Sequence, residues 1–172
     1  MAIRRLNHAV LFVRDVERSV AFYEERLGFR VVTAIPRRAA FLQAPASTND
    51  HDLGLFQVGA GAGPSGAGRS TVGLYHLAWE VETLADLARL ERELREAGAL
   101  VGASDHGTTK ALYAVDPDGL EFEVSWLVPA GLLTDDALAA RATVAPLDLD
   151  AEVARYGAGT VGGLGISVPA PT

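Results

Sequence analysis

One stretch of this chain occurs twice. LNHAVLFVRDVERSVAFYEERLGF at residues 6–29 returns in altered form as GLYHLAWEVETLADLARLERELREAGA at residues 73–99. Each copy sets a histidine, His8 or His76, in an apolar strand and follows it with an amphipathic helix closed near a glycine. A fold that brings two such copies together across a two-fold axis brings the two imidazoles together as well. A third candidate ligand, Glu123, lies in the last apolar strand of the second copy, LEFEVSW at residues 120–126. Duplication can build a metal site in this way.

The pattern of each copy is β-α-β-β-β. Residues 5–13 place His8, Val10 and Phe12 on one face of a strand and Asn7, Ala9, Leu11 and Val13 on the other. Both faces are largely apolar, which predicts a strand covered on both sides. Asp15 can cap a helix whose stripe is Val16, Val20, Tyr23 and Leu27, and Gly28 supplies its stop. Strands are predicted at 29–35 and 39–44, joined through Pro36, Arg37 and Arg38, with a fourth starting near His51. Residues 59–70, GAGAGPSGAGRS, hold five glycines in their first ten positions and cannot pack as an element, so they read as a linker. The second copy then runs as a strand at 72–82 and a helix from Leu84 to Ala97, capped by Thr83 with Asp86 and buried through Leu87, Leu90, Leu94 and Ala97. Arg89 with Glu93, Glu91 with Arg95 and Arg92 with Glu96 suit its solvated face. Strands at 99–103, 109–115 and 120–127 follow, the last two joined by the turn Asp116-Pro117-Asp118-Gly119. This gives a domain over residues 1–128, with repeats 3–58 and 72–127 and a linker at 59–71.

Residues 128–172 differ in character, holding four of the eight prolines and six of the eighteen glycines. Weak helical stretches stand near Asp135 to Arg141 and Asp150 to Arg155. An irregular extension over 129–172 is expected to wrap the domain, cap a pocket or reach a second subunit, with mobility in its last dozen residues.

Composition narrows the chemistry. The chain has 172 residues, 49% of them apolar, enough for one sizeable core. A net charge of -7 and the lack of a basic cluster argue against a nucleic-acid partner. There is no cysteine, which removes thiolate ligands, disulfides and a cysteine nucleophile and leaves His, Asp and Glu. The apolar run after Arg4 and Arg5 is too short for a signal or a spanning helix, so the expectation is a cytoplasmic protein with no membrane partner. Two strand histidines could each be satisfied core residues, but equivalent places in two repeats and a nearby carboxylate favour metal. Two imidazoles and one carboxylate leave a divalent ion open positions, which suits non-haem Fe(II) acting on a chelating substrate and O2. Mn(II), Zn(II) and Ni(II) are the other candidates. In the last strand Glu121, Glu123 and Ser125 share a face, so either glutamate could reach the ion.

The duplicated unit, the segment SVAFYEERLGF at 19–29, a strand histidine at the head of each repeat, and DPDG followed by Glu123 resemble the vicinal oxygen chelate superfamily. That superfamily includes glyoxalase I, extradiol ring-cleaving dioxygenases, fosfomycin-inactivating thiol transferases and metal-free bleomycin-binding proteins. The likeness covers residues 3–127 and is specific through its combination of motifs. It implies an α+β fold in which two βαβββ repeats form a half-open, eight-stranded mixed sheet, with His8, His76 and Glu123 as metal ligands on its concave side. It selects Glu123 over Glu121, because the position after DPDG is the matching one. Family habit implies a homodimer.

Four residues bear on the choice within the superfamily. The fourth ligand of glyoxalase I falls at Leu55 in this reading, which cannot bind metal, and Gln57 could replace it only through a shift in register. Leu55 is expected instead to line a pocket for an aromatic ring. His51, in HDLGLF, resembles the acid-base histidine of extradiol dioxygenases. Tyr113, ten residues before Glu123, resembles the tyrosine that hydrogen-bonds a metal-bound catechol oxygen, and His106 resembles a second pocket histidine. Each also has a plain structural reading, as a solvated loop histidine, a packing aromatic or a histidine among polar neighbours. Lys110 alone stands for the Lys- and Ser-rich loop of the fosfomycin enzymes. The resemblance thus implies Fe(II)-dependent extradiol cleavage of a catechol with O2. Another metal-dependent lyase, isomerase or thiol transferase comes next, and a metal-free drug-binding protein third.

Overall fold

The computed structural model describes Ile3 and residues 5–67 and 70–163. The chain divides into two compact units, one comprising residues up to Gly66 with Asp116–Leu120, the other Ala67–Val115 with residues from Glu121 onward.

In the first unit, β1 (Ala9–Val13), α1 (Val16–Leu27), β2 (Arg30–Ile35), β3 (Ala39–Gln43) and β4 (Leu53–Gln57) follow the expected order. The sheet order is β1-β4-β3-β2, with β1 parallel to β4 and the other pairs antiparallel. Asp15 caps α1 by accepting from the Arg18 amide at 3.0 Å, and Gly28 ends it in the left-handed conformation, φ 72°. The helix buries Val16, Ser19 and Tyr23, so its stripe runs through Ser19, with Val20 and Leu27 only half-buried. Leu11, Val13, Leu42, Leu53 and Leu55 are buried with it and form the core.

The strand expected to be covered on both sides is not. Val10 is 50% exposed, Phe12 72% and Phe56 37%, so the opposite face of this sheet lies open. His51 falls in the loop before β4, not in the strand, because the Asp52 carboxylate organises that loop. It accepts from the Ala44 amide at 2.8 Å and the Ser47 hydroxyl at 2.7 Å. The DPDG turn also packs in this unit. Asp118 accepts from the Arg14 amide at 2.8 Å and pairs with the guanidinium groups of Arg14 at 2.9 Å and Arg18 at 2.5 Å. Burial pushes its carboxyl up, but these donors outweigh it and the net shift is downward.

The second unit repeats the plan with β5 (Leu77–Glu80), α2 (Leu84–Glu96), β6 (Leu100–Asp105), β7 (Thr109–Val115) and β8 (Glu121–Leu127). Its order, β5-β8-β7-β6, again pairs first and last strands in parallel. The capping box of Thr83 and Asp86 is complete. Leu84, Leu87, Leu90 and Leu94 are buried, whereas Ala97 is exposed and Ala99 takes its place. Leu112, Phe122, Val124 and Trp126 fill the core beneath α2. Arg89–Glu93 and Glu91–Arg95 form as expected. The two sheets are thus mixed, of four and five strands, the ninth strand coming from the extension.

That extension is more regular than its composition suggested. It contains α3 (Asp135–Ala139), β9 (Ala145–Pro146) and α4 (Leu149–Tyr156), and β9 pairs with the end of β6. Asp148 and Thr134 cap the two helices through their side chains. Most of the last dozen residues lie outside the described residues. Lys110, only 1% exposed, faces the core side of β7 and pairs with Asp105 at 2.5 Å and with Glu152 of α4 at 3.0 Å. It holds the extension down and is no part of a ligand loop. No helix among the described residues is long and apolar enough to cross a membrane.

Removing a partner from a buried ion pair leaves uncompensated charge, whereas a solvated pair is screened. Lys110→Ala is therefore expected to destabilise the protein by about 3–5 kcal/mol in urea unfolding, and Arg89→Ala by no more than about 1 kcal/mol.

Candidate functional site

In the second unit, parallel pairing sets Ala78 of β5 opposite Glu123 of β8, and antiparallel pairing sets Tyr113 of β7 opposite the same Glu123. His76 stands one residue before β5. Its Nε2 lies 3.2 Å from Glu123 Oε2, and its ring centroid lies 5.8 Å from that of Tyr113 and 4.5 Å from that of Tyr75. The Tyr113 hydroxyl is 3.0 Å from His106 Nε2, and His106 Nδ1 is 3.1 Å from the Thr143 main-chain oxygen. Four of the six residues singled out in the sequence therefore meet on the open face of one sheet. The carboxylate beside His76 is Glu123.

The other two meet in the first unit. The His8 and His51 ring centroids are 4.6 Å apart. His8 Nδ1 lies 2.7 Å from Asn7 Oδ1, and His51 Nδ1 lies 2.9 Å from Asp50 Oδ2. A carboxylate only accepts, so His51 carries a proton on Nδ1 and, when neutral, leaves Nε2 as a base. Phe41 packs edge-on against His51 at 5.1 Å and against Phe56 at 5.8 Å. Among the described residues no three His, Asp or Glu side chains gather into a group able to hold a metal.

The residues nevertheless suit a divalent ion in part. An imidazole nitrogen and a carboxylate oxygen 3.2 Å apart converge on one point, and both are donors of the borderline type taken by Fe(II), Mn(II), Ni(II) and Zn(II). His76 Nε2 faces the Glu123 carboxylate, which only accepts, so the ring proton sits on Nε2 until an ion displaces it, and the buried Nδ1 has no hydrogen-bond partner among the described residues to receive the proton in its turn.

Register corrects the reading of β4. Val10 pairs with Gly54 as Ala78 pairs with Glu123, each two residues past its histidine, so Gly54 is the repeat equivalent of Glu123. Leu55 is fully buried on the helix side and lines no open face. Gln57 points the same way and accepts from the Val16 amide at 3.1 Å. Leu55 stands one residue past the repeat equivalent of Glu123, and an offset of one residue turns a side chain to the opposite face. Gly54 offers no donor either, so the first repeat adds no ligand there. The same register makes Phe41 the counterpart of Tyr113, a relation that aligning the repeats residue by residue would have revealed.

Burial pushes the Tyr113 phenol above its ordinary value of 10.0, and the negative charge of Glu123, the Tyr75 phenol once it ionises, and the negative charge of Glu121 push it further. Its hydroxyl stays protonated at neutral pH.

These two sheets, each with a histidine at the head of its first strand and a parallel first-to-last pairing, define a class of duplicated βαβββ proteins. The model of the Glyoxalase/Bleomycin resistance protein/Dioxygenase superfamily matches residues 5–124, and the chain belongs to that superfamily. It is 30% identical over 135 residues to metapyrocatechase 2 of Cupriavidus necator and 33% identical over 122 residues to a catechol-2,3-dioxygenase of Bacillus subtilis. These alignments cover 74% and 69% of this chain but 39% and 40% of those proteins, so it spans about two-fifths of their length. Among solved structures, a glyoxylase/bleomycin resistance protein/dioxygenase domain from Frankia is 25% identical with a TM-score of 0.58, covering 72% of this chain and 92% of that one.

The charge on Glu123 is the second cause of the raised Tyr113 phenol, after burial. Glu123→Gln should make Tyr113 ionise at lower pH while leaving it above 10, read as the tyrosinate absorbance missing from a Tyr113→Phe control.

Proposed function

We propose that this chain is an Fe(II)-dependent dioxygenase that opens the ring of a catechol beside its two hydroxyls. The observation that carries the reading is the cluster of His76, Glu123, Tyr113 and His106 on one sheet face, where two metal-type donors stand beside a protonated phenol. His8 is the third ligand in this proposal because it is the repeat equivalent of His76. The relatives named as catechol dioxygenases favour this chemistry over the others in the superfamily.

Bound iron would supply the positive charge that lowers the proton affinity of a diol and a path by which the diol's own electrons reach O2. His76 and Glu123 hold that ion and bring its charge next to Tyr113. His51, its Nδ1 proton committed to Asp50, offers Nε2 as the base that takes a substrate proton and returns it later. Tyr113 orients a substrate oxygen by hydrogen bonding. Phe41 and Phe56 offer aromatic surface to a planar ring. Two observations count against the neighbouring activities. Gly54 provides no fourth ligand for glyoxalase chemistry, and Lys110 is buried away from the open face.

Anaerobic loading with Fe(II), followed by a panel of catechols in aerated buffer, tests this. Oxygen uptake matched by a coloured ring-opened product, and lost in Glu123→Ala, is the expected result. His51→Phe should keep iron and substrate while turnover falls by about 100-fold or more. Bound iron with no oxygen uptake across the panel would overturn the reading.

A further inference from the structure

The contact between His106 and the C-terminal extension carries information that the superfamily's motifs do not contain. A main-chain carbonyl can only accept, so the 3.1 Å contact between His106 Nδ1 and the Thr143 oxygen requires the proton on Nδ1. In a neutral ring Nε2 then has only a lone pair. The Tyr113 hydroxyl, 3.0 Å from Nε2, must be the donor in that second contact. A phenol has one hydrogen, and here it points to His106.

We propose that the extension fixes the hydrogen-bond polarity of the site: the Thr143 carbonyl holds neutral His106 in its Nδ1–H form, and the Tyr113 oxygen is left to accept from a substrate hydroxyl. Thr143 is thus a positioning residue that acts through His106 on Tyr113. The inference rests on the proposal that Tyr113 meets the substrate. It deepens it by naming the group recognised, an aromatic hydroxyl that still carries its proton, as opposed to an ether or carbonyl oxygen.

The extension is built to keep that carbonyl in place. The Thr143 amide and hydroxyl both donate to the Ala140 oxygen, at 2.8 and 2.7 Å, which sets the turn. Two residues later β9 joins β6, pairing Ala145 with Asp105, the neighbour of His106. On the other side Gly107, at φ 71°, lies so close to α3 that a Cβ there would collide with the Ala137 carbonyl and meet the Ala140 methyl at 2.8 Å. Farther along, the Lys110–Glu152 pair and the hydrogen bond from Trp126 Nε1 to the Thr160 oxygen, 3.1 Å, tie the extension to the sheet. Neutral imidazole in water favours the proton on Nε2, so an Nδ1–H His106 must be imposed by its surroundings.

Long-range proton–nitrogen NMR of the full chain labelled with 15N-histidine reads the tautomer directly, above the pH at which the ring titrates, with His106→Gln identifying the signal. The expected spectrum shows a pyrrole-like Nδ1 and a pyridine-like Nε2, unchanged in Tyr113→Phe. Ala140→Leu, which wedges the extension off the Gly107 loop, should exchange the two signals. A proton on Nε2 in the unaltered chain overturns the proposal, and so does an exchange of signals in Tyr113→Phe, which would make Tyr113 the cause. If Ala140→Leu does not fold, those two spectra still decide. No iron or turnover enters the measurement, so an Nδ1–H His106 in a chain that consumes no oxygen would sink the dioxygenase reading alone.

Discussion

Within each repeat the first and last strands pair in parallel, and the placement of the site residues follows from that pairing. Parallel strands cannot be joined by a tight turn, so the chain must cross over through a helix and two further strands before it returns. That detour places the head of the first strand beside the middle of the last. In the second repeat the result is His76 next to Glu123, although the two stand 47 positions apart in the sequence. Neither residue could find the other by local structure. The core leucines of α2 and the aromatic and aliphatic residues of β8 hold the register, and a slip of one residue would turn Glu123 into the core.

The two repeats have put the same frame to different uses. Where the second carries Glu123 and Tyr113, the first carries Gly54 and Phe41, so one open face has charged and polar donors and the other has aromatic surface. The extension adds a further asymmetry. It has no counterpart after the first repeat, and it reaches His106 through a main-chain carbonyl while a buried lysine secures α4. Chemistry and support are thus distributed between side chains with motif-like spacing and backbone groups with none.

Much of this was legible in the sequence because it rests on period and punctuation. The caps at Asp15, Thr83 and Gly28, the leucine stripe of α2 and the alternation along β8 each follow from short-range rules, and the structure reproduces them. What was not legible depends on register or on backbone. Leu55 was assigned to the wrong face because strand starts are blurred by a residue or two and side chains alternate with period two. Ser19 entered the helix stripe unannounced because a serine can fill a tight contact without appearing hydrophobic. The hold of Thr143 on His106 left no trace in the sequence at all, since any residue at position 143 has a carbonyl.

Under the proposed function His8, His76 and Glu123 would together hold a divalent ion. Pulsed electron paramagnetic resonance of the Mn(II)-loaded protein counts the imidazoles bound to the ion. Two are expected in the unaltered chain and one in either His8→Ala or His76→Ala. A single imidazole in the unaltered chain, or a count that His8→Ala leaves unchanged, would contradict that ligand set.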